Sequence, residues 1–452
     1  LLDRPLPSVW TDRAACTDGK GLLLKRIYFL MRAALLAALL VASGGSAQAQ
    51  QKVGLVRDAE IEAIIRAYAT PIFEAAGLAA NDVDIHLVND SSLNAFVAGG
   101  LNLFLNTGLI QRTKEPGELI GVIAHETGHI AGGHLVRVRD EMENASIQSV
   151  LAAVLGAAAA VASGEGGLGT AIAVGGSSMA MRNFLQYSRA QESAADHAAL
   201  RFLDHMHWSS EGLVHFLGVL EDQELLSATM QDPYLRSHPI TRERVASARE
   251  HAARSPHRDA RLPEAFYGYH DRMVAKLDGF LLAPATTLRK YGKDDGSVAA
   301  RYARAIAHYR AADLKQAVPE IDALIAESPD DPFFHELRGQ MLFENGRAAE
   351  ALPSYERAVQ LRPDSGLIRL ELARVILELG DSRRFDEAER QLTEVVRIEP
   401  QNAGAWRLLG IAYGRGGDVP NASLALAESA MLRGARSEAR FQAERARRSF
   451  PE

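Results

Sequence analysis

The feature that most restricts this 452-residue chain is a pattern repeating through its last third. Pro329, Pro363 and Pro400 stand 34 and 37 residues apart, and ten positions after each comes a small residue: Gly339, Ala373 and Gly410. Ala317, Ala351 and Ala388 precede successive prolines by twelve, and Ala422 continues the series. Four residues after each alanine stands a large apolar side chain: Ile321, Tyr355, Leu392 and Leu426. A repeat of this length holds two helices and cannot bury its apolar face alone, so successive units must stack. The three extra residues of the third unit fall at Gly380 to Arg384, an inter-helix turn that tolerates insertion. About four helix pairs over 298–436 are expected, with a terminal helix covering the last apolar face.

One unit, Trp406-Arg-Leu-Leu-Gly-Ile-Ala-Tyr413, matches the tetratricopeptide pattern. Stacks of this kind bind peptide segments in a concave groove, and a plain structural spacer is the alternative.

Length predicts two or three domains, and 47% hydrophobic with 24% charged residues is ordinary for a globular core. A formal charge of −7, with no basic stripe, argues against a nucleic-acid partner. Residues 31–50 read MRAALLAALLVASGGSAQAQ, a secretory leader with cleavage expected after Ala49. Its apolar run is too short to span a bilayer. Export to the periplasm follows as the expectation. Residues 1–30 read as an upstream extension. Removing 1–49 takes away Cys16, the sole cysteine, and brings the charge near −10, so no thiol chemistry or disulfide is expected.

Between leader and repeats, Val53 to Ala76 reads as one amphipathic helix interrupted near Pro71, and Asp84 to Asn89 alternates like a strand. Ala95 to Ala98 and Leu101 to Asn106 read as a strand pair. Pro116 opens a helix expected to run to about Arg139, with small residues at Gly121, Ala124, Gly128, Ala131, Gly132 and Gly133. Each internal glycine weakens a helix by about 1 kcal/mol, so their use implies close approach of neighbouring backbone. Residues 147–181 form two apolar arms around a Gly-rich turn, either a buried helical hairpin or a mobile lid or membrane-surface contact. Arg182 to Leu203 reads as an amphipathic helix carrying Glu192 and Asp196, and His251 to Pro263 as a linker. The expected order is a domain over 50–260, a helical linker over 261–297 and the repeats over 298–452.

The chemistry concentrates at His125-Glu126-Thr127-Gly128-His129. Two imidazoles at i and i+4 share a helix face and reach one ion, while the glutamate between them can touch a water on that ion. Hydrolytic zinc takes three protein ligands and leaves a position for water, so a third ligand must come from elsewhere. His134 is one residue off the spacing of the longer three-histidine motif, which has Leu135 at that place, and reads as a packing or supporting residue. Glu192 is the better candidate, with Asp196 on the same helix face placed to accept a hydrogen bond from a ligand imidazole. Two acids on a solvated helix face are the bland alternative. Ser237-His238-Pro239 with Thr241 and Arg244 is either a mere helix entry or part of the site.

Taken together, His125 to His129, Ser188-Arg-Ala-Gln-Glu192-Ser-Ala-Ala-Asp196, Ser237 to Arg244 and the segment Asn94 to Gly108 resemble the M48 zinc metallopeptidases, in particular a periplasmic subgroup with C-terminal repeats. The resemblance implies a mainly α fold: an α+β metallopeptidase domain with a small β-sheet, then an α-helical solenoid. It implies one zinc ion per chain held by His125, His129 and Glu192, with Glu126 as general base and Asp196 behind the ligands. His238 would stabilise the transition state or bind zinc as a fourth ligand that closes the site, and Arg244 would stabilise the oxyanion or anchor the loop. Asn94, Ala95, Phe96 and Val97 would belong to an edge strand that pairs with substrate backbone. The implied activity is endopeptidase action on unfolded or stalled outer-membrane β-barrel precursors, with the repeats docking on the outer-membrane assembly machinery. A chaperone-like binding module with a latent protease site is the alternative.

Overall fold

A computed structural model describes residues 54–98, 100–134, 174–224, 234–235 and 238–450, with the side chains of 174–188 and 222–224 outside that description. The leader at 31–49, the apolar stretch over 147–173 and Ser237 lie outside the described residues. The described part is mainly α-helical with one small sheet, as expected.

Four strands make the sheet: β1 (Leu55–Val56), β2 (Asp84–Val88), β3 (Ala95–Ala98) and β4 (Asn102–Asn106), in the order β1-β2-β4-β3. β3 and β4 pair antiparallel as expected, while β2 lies parallel to β4 through Leu87 opposite Leu105. Alternation sends Leu87, Ala95, Val97, Leu103 and Leu105 into the core. On the other face His86, Phe104 and Phe96 stack across three strands with ring centroids 4.7 and 4.8 Å apart. Among the described residues β3 is an edge strand.

Helix α1 (Ala59–Ala75) starts at Asp58, whose carboxylate accepts from the Glu60 and Ile61 amides. Its start is later than the pattern suggests because the chain first pairs as β1, and it runs through Pro71, flanked by buried Tyr68, Ile72 and Phe73. After α2 (Thr107–Arg112), α3 (Pro116–Ala131) carries the two histidines. It ends well before Arg139: Gly132 caps it and Gly133, at φ 62°, turns the chain away.

The glycines of α3 serve close packing. A Cβ on Gly121 would lie 2.8 Å from the Leu213 Cα, and one on Gly128 would lie 2.7 Å from the Ala195 carbonyl oxygen. Helices α4 (Val174–His205) and α5 (Glu211–Glu224) therefore cross α3 backbone to backbone. α4 begins at Val174 rather than Arg182, so the end of the apolar stretch is continuous with the acid-bearing helix. α6 (Arg242–Arg254) is capped by Thr241, and α7 (Glu264–Leu281) sends Met273 and Leu277 into the core beneath the sheet. The stretch expected to be a helical linker is thus helical and also part of that core.

Following α8 (Pro284–Lys290), four antiparallel pairs stack: α9 (Val298–Arg310) with α10 (Leu314–Glu327), α11 (Pro332–Glu344) with α12 (Ala348–Leu361), α13 (Gly366–Leu379) with α14 (Phe385–Ile398), and α15 (Ala403–Gly416) with α16 (Val419–Leu432). Helix α17 (Arg436–Ser449) lies against α16. Small and large repeat positions meet: a Cβ on Gly339 would lie 2.8 Å from the Tyr355 ring, and one on Gly410 2.8 Å from Leu426. The extra residues of the third unit form a 3-10 turn at Ser382–Arg384.

Buried charge joins the repeats to α1. On α7, Arg272 holds Glu60 at 2.5 Å and Asp331 at 2.5 Å, and Lys276 holds Asp58 at 2.8 Å, Glu60 at 3.3 Å and Glu336 at 3.7 Å. Tyr302 donates to Glu60 at 2.8 Å. Burial and the neighbouring acids hold the Glu336 carboxyl up to about 7, against the pull of Lys276.

Candidate metal centre and active site

Three helices and one loop converge on His125. On α3, His125, Glu126 and His129 are all buried, Glu126 completely. Glu192 and Asp196, one turn apart on α4, are 3% and 4% exposed, which removes the reading of a solvated acidic face. The Nε2 atoms of His125 and His129 lie 3.1 Å apart, and they stand 3.4 and 3.3 Å from the two Glu192 oxygens. His238, in the loop before α6, places Nδ1 3.1 Å from Glu192. One ligand atom from each of His125, His129, Glu192 and His238 falls within 4.8 Å of the others, so this group could hold a metal ion.

The donor set fits such an ion. Two facing imidazole nitrogens at hydrogen-bond distance cannot both carry protons, so at least one lone pair points inward. Glu126 Oε2 and His238 Nε2 are buried without a hydrogen-bond partner, a cost that a bound cation and its water would relieve. A closed four-residue N/O set around a buried point is the donor chemistry of zinc.

Around the ligands lies a supporting layer. Asp196 accepts from His125 Nδ1 at 2.8 Å, fixing the tautomer that turns Nε2 inward. Arg244 grips Asp196 with Nε at 2.6 Å and Nη2 at 2.9 Å, and its Nη1 reaches Glu192 at 3.0 Å and the Pro239 carbonyl at 2.8 Å. With these contacts made, Arg244 anchors the His238 loop to α4. His134 lies 3.0 Å from His129 Nδ1, brought there by the left-handed turn at Gly133 rather than by helical spacing. Tyr234, a residue the motifs gave no reason to name, stacks on His238 with centroids 4.4 Å apart and directs its hydroxyl at Glu126 Oε1, 3.4 Å away. Only an aromatic at His−4 in the loop could have hinted at it.

Electrostatics follow from this layer. Burial works against a charged His125, but the hydrogen bonds it donates to the Asp196 and Glu192 carboxylates outweigh it and raise its pKa to about 10. Burial likewise opposes ionisation of Asp196, yet Arg244 and His125 hold it down at about 2. Despite burial, Glu192 is driven well below the carboxylate range by the three imidazoles. His129 is pushed down by burial and by the charge of His125, which suits a neutral ligand. The substrate-strand candidates Asn94 to Val97 lie at the sheet edge, and Asn94 Oδ1 is buried without a partner.

A model for peptidase family M48 matches residues 56–252, from β1 to α6. Residues 56–252 are a family M48 peptidase domain. A cytochrome c-type biogenesis protein H TPR domain model matches 313–433, and a bacterial transcriptional activator domain model matches 239–366. The β-barrel assembly-enhancing protease of Yersinia pestis is 24% identical over 375 residues, covering 78% of this chain and 72% of its own length. Its Escherichia coli K12 counterpart is 24% identical over 331 residues, covering 72% and 66%. The crystal structure of YrrB, a TPR protein with an unusual peptide-binding site, covers 39% of this chain and 91% of that one at 19% identity, with a TM-score of 0.33. The M48 domain and its protease relatives give the chain a protease role, and the TPR region gives it a surface of the kind that binds proteins. Among the described residues no helix is long and apolar enough to cross a membrane.

Proposed function

We propose that this chain is a periplasmic zinc-dependent endopeptidase acting on outer-membrane β-barrel precursors that stall in assembly. The observation that carries the reading is the buried convergence of His125, His129, Glu192 and His238 beside a Glu126 whose Oε2 has no partner. His125, His129 and Glu192 would hold zinc. Bound there, zinc supplies Lewis acidity to the scissile carbonyl and makes a water acidic enough to attack near neutral pH. Glu126 takes the proton of the attacking water and passes it to the leaving amine. Asp196 keeps His125 in the tautomer that serves the ion, and Arg244 keeps Asp196 in place. The edge of β3, from Asn94 to Val97, would take substrate backbone as a further strand, since among the described residues no strand pairs with its outer side. His238 completes the cluster and would close the resting site, because four protein ligands leave no position for water. The compartment rests on the leader-like 31–49, and the substrate class on the names of the relatives.

Glu126→Gln is expected to keep fold and zinc content while cleavage of casein or of itself falls by about 10²–10⁴-fold. Wild-type cleavage by that variant would end the assignment.

A second reading, a repeat-based binding module with a latent protease site, is favoured by a cavity of about 710 Å³ where the repeats face α1, lined by Glu336, Glu344, Tyr355, Glu371 and Arg374. Full support of outer-membrane assembly by Glu126→Gln would favour that module, and loss of support would favour proteolysis.

A further inference from the structure

Helix α17 carries a surface that neither the metal centre nor repeat packing uses. Its buried side chains are Ala439 and Ala446, two turns apart on one stripe. Away from that stripe Phe441 is 58% exposed, and Phe450, just past the helix, is 42% exposed. Arg445 and Arg448 follow Phe441 at i+4 and i+7, so the three share one helix face, and all three are exposed. Residues 433–450 hold six arginines against two glutamates, a local charge of +4 in a chain of −7. Among the described residues Arg433 pairs with Glu438, whereas Arg436, Arg440, Arg445 and Arg447 form no ion pair. On α16, Leu424 and Met431 are 44% and 66% exposed and, seven residues apart, share an outward face.

A solenoid cap needs only a polar outer face for solubility. Exposed Phe and Met among unpaired arginines exceed that need. The face is a convex helix rather than a groove, which suits a deformable headgroup layer better than a shaped polypeptide. Charge points the same way: the rest of the chain is net acidic, while this end is net basic and complements an anionic surface.

We propose that α17 and the adjoining end of α16 dock the chain on an anionic phospholipid surface. The arginines pair with headgroup phosphates, and Phe441, Phe450 and Met431 enter the interface beneath them. The proposal is independent of the peptidase reading.

The test is flotation of the leader-cleaved full chain with vesicles of phosphatidylcholine alone or mixed with phosphatidylglycerol. Wild type is expected to float with the mixed vesicles and to be released by high salt, while staying behind with phosphatidylcholine alone. Each arginine near an anionic surface adds about fivefold in affinity, so R440E/R445E/R448E should lose about a hundredfold or more. Phe441→Ser should lose about tenfold. These side chains are exposed, so thermal melts report whether each variant folds, and Arg440→Lys with Arg445→Lys and Arg448→Lys should retain binding. Absence of wild-type flotation, equal binding to both vesicle types, or indifference to charge reversal would each overturn the proposal. Retention on immobilised polyglutamate without vesicle binding would overturn it in favour of an acidic protein partner.

Discussion

His238 sits where one imidazole can do two opposed things. Its Nδ1 is tied to Glu192, its Nε2 is buried without a hydrogen bond 3.5 Å from Glu126 Oε1, and Tyr234 stacking and the Arg244 anchor also hold the ring in the cluster. Under the closed-site reading His238→Ala should raise basal cleavage several-fold. Loss of cleavage to background, measured on the same substrate, would instead make His238 the donor that stabilises the oxyanion. A second residue reports on stability. His270 on α7 bonds Thr113 through Nε2 at 2.9 Å and leaves Nδ1 without a hydrogen bond, 4.0 Å from Asp271, and burial pushes its pKa down to about 4. The unfolded chain takes up that proton near 6.5. Folding stability should therefore be undiminished above pH 6.5 and fall as pH drops toward 4, by about 3 kcal/mol for this group. Thermal melts of His270→Asn should be flatter than wild type across that window, and an unchanged slope would clear His270 of the effect.

Among the elements, α3 is constrained most. Its histidines reach α4's glutamate only because Gly128 lets the two backbones touch at Ala195, and Gly121 does the same for α5 at Leu213. A Cβ at 128 would meet a main-chain carbonyl at 2.7 Å, which a flexible side chain cannot absorb. Gly128→Ala should cost about 1–3 kcal/mol by overpacking and weaken metal uptake by separating the ligands. Chemical denaturation and metal titration together test this. Wild-type values for both would show that α3 and α4 have room to part. The sequence already marked α3 as glycine-rich, whereas the premature end of that helix depended on Gly133 adopting positive φ, which sequence spacing does not reveal.

At the scale of the molecule, a buried charge network lies where repeats and peptidase domain meet, beside apolar contacts from Ala59 and Phe280 to the repeat cores. Glu60 is buried between Arg272, Lys276 and Tyr302, and Arg272 reaches on to Asp331 at the start of α11. Removing one partner of such a network strands the other buried charges. Arg272→Met should lower unfolding stability by about 3–5 kcal/mol. A urea midpoint equal to that of wild type would show that the junction is held by packing alone.

Local pattern determined most of what this chain is. The 34- and 37-residue spacing of prolines dictated stacked helix pairs, because such units cannot bury their faces singly, and the i, i+4 imidazoles dictated a shared ion. Both are short-range consequences of helical period, so they are legible without a fold. Tertiary structure decided what lies across long separations: which carboxylate meets His125, that Arg244 is spent on Asp196 and Glu192, that Tyr234 faces Glu126, and that α7 belongs to the core rather than to a spacer. It also decided that Phe441 and Phe450 stay exposed beside the six arginines of 433–450, a basic stretch already present in the sequence beneath an overall charge of −7. Those choices depend on chain crossings and burial, which a linear pattern does not encode.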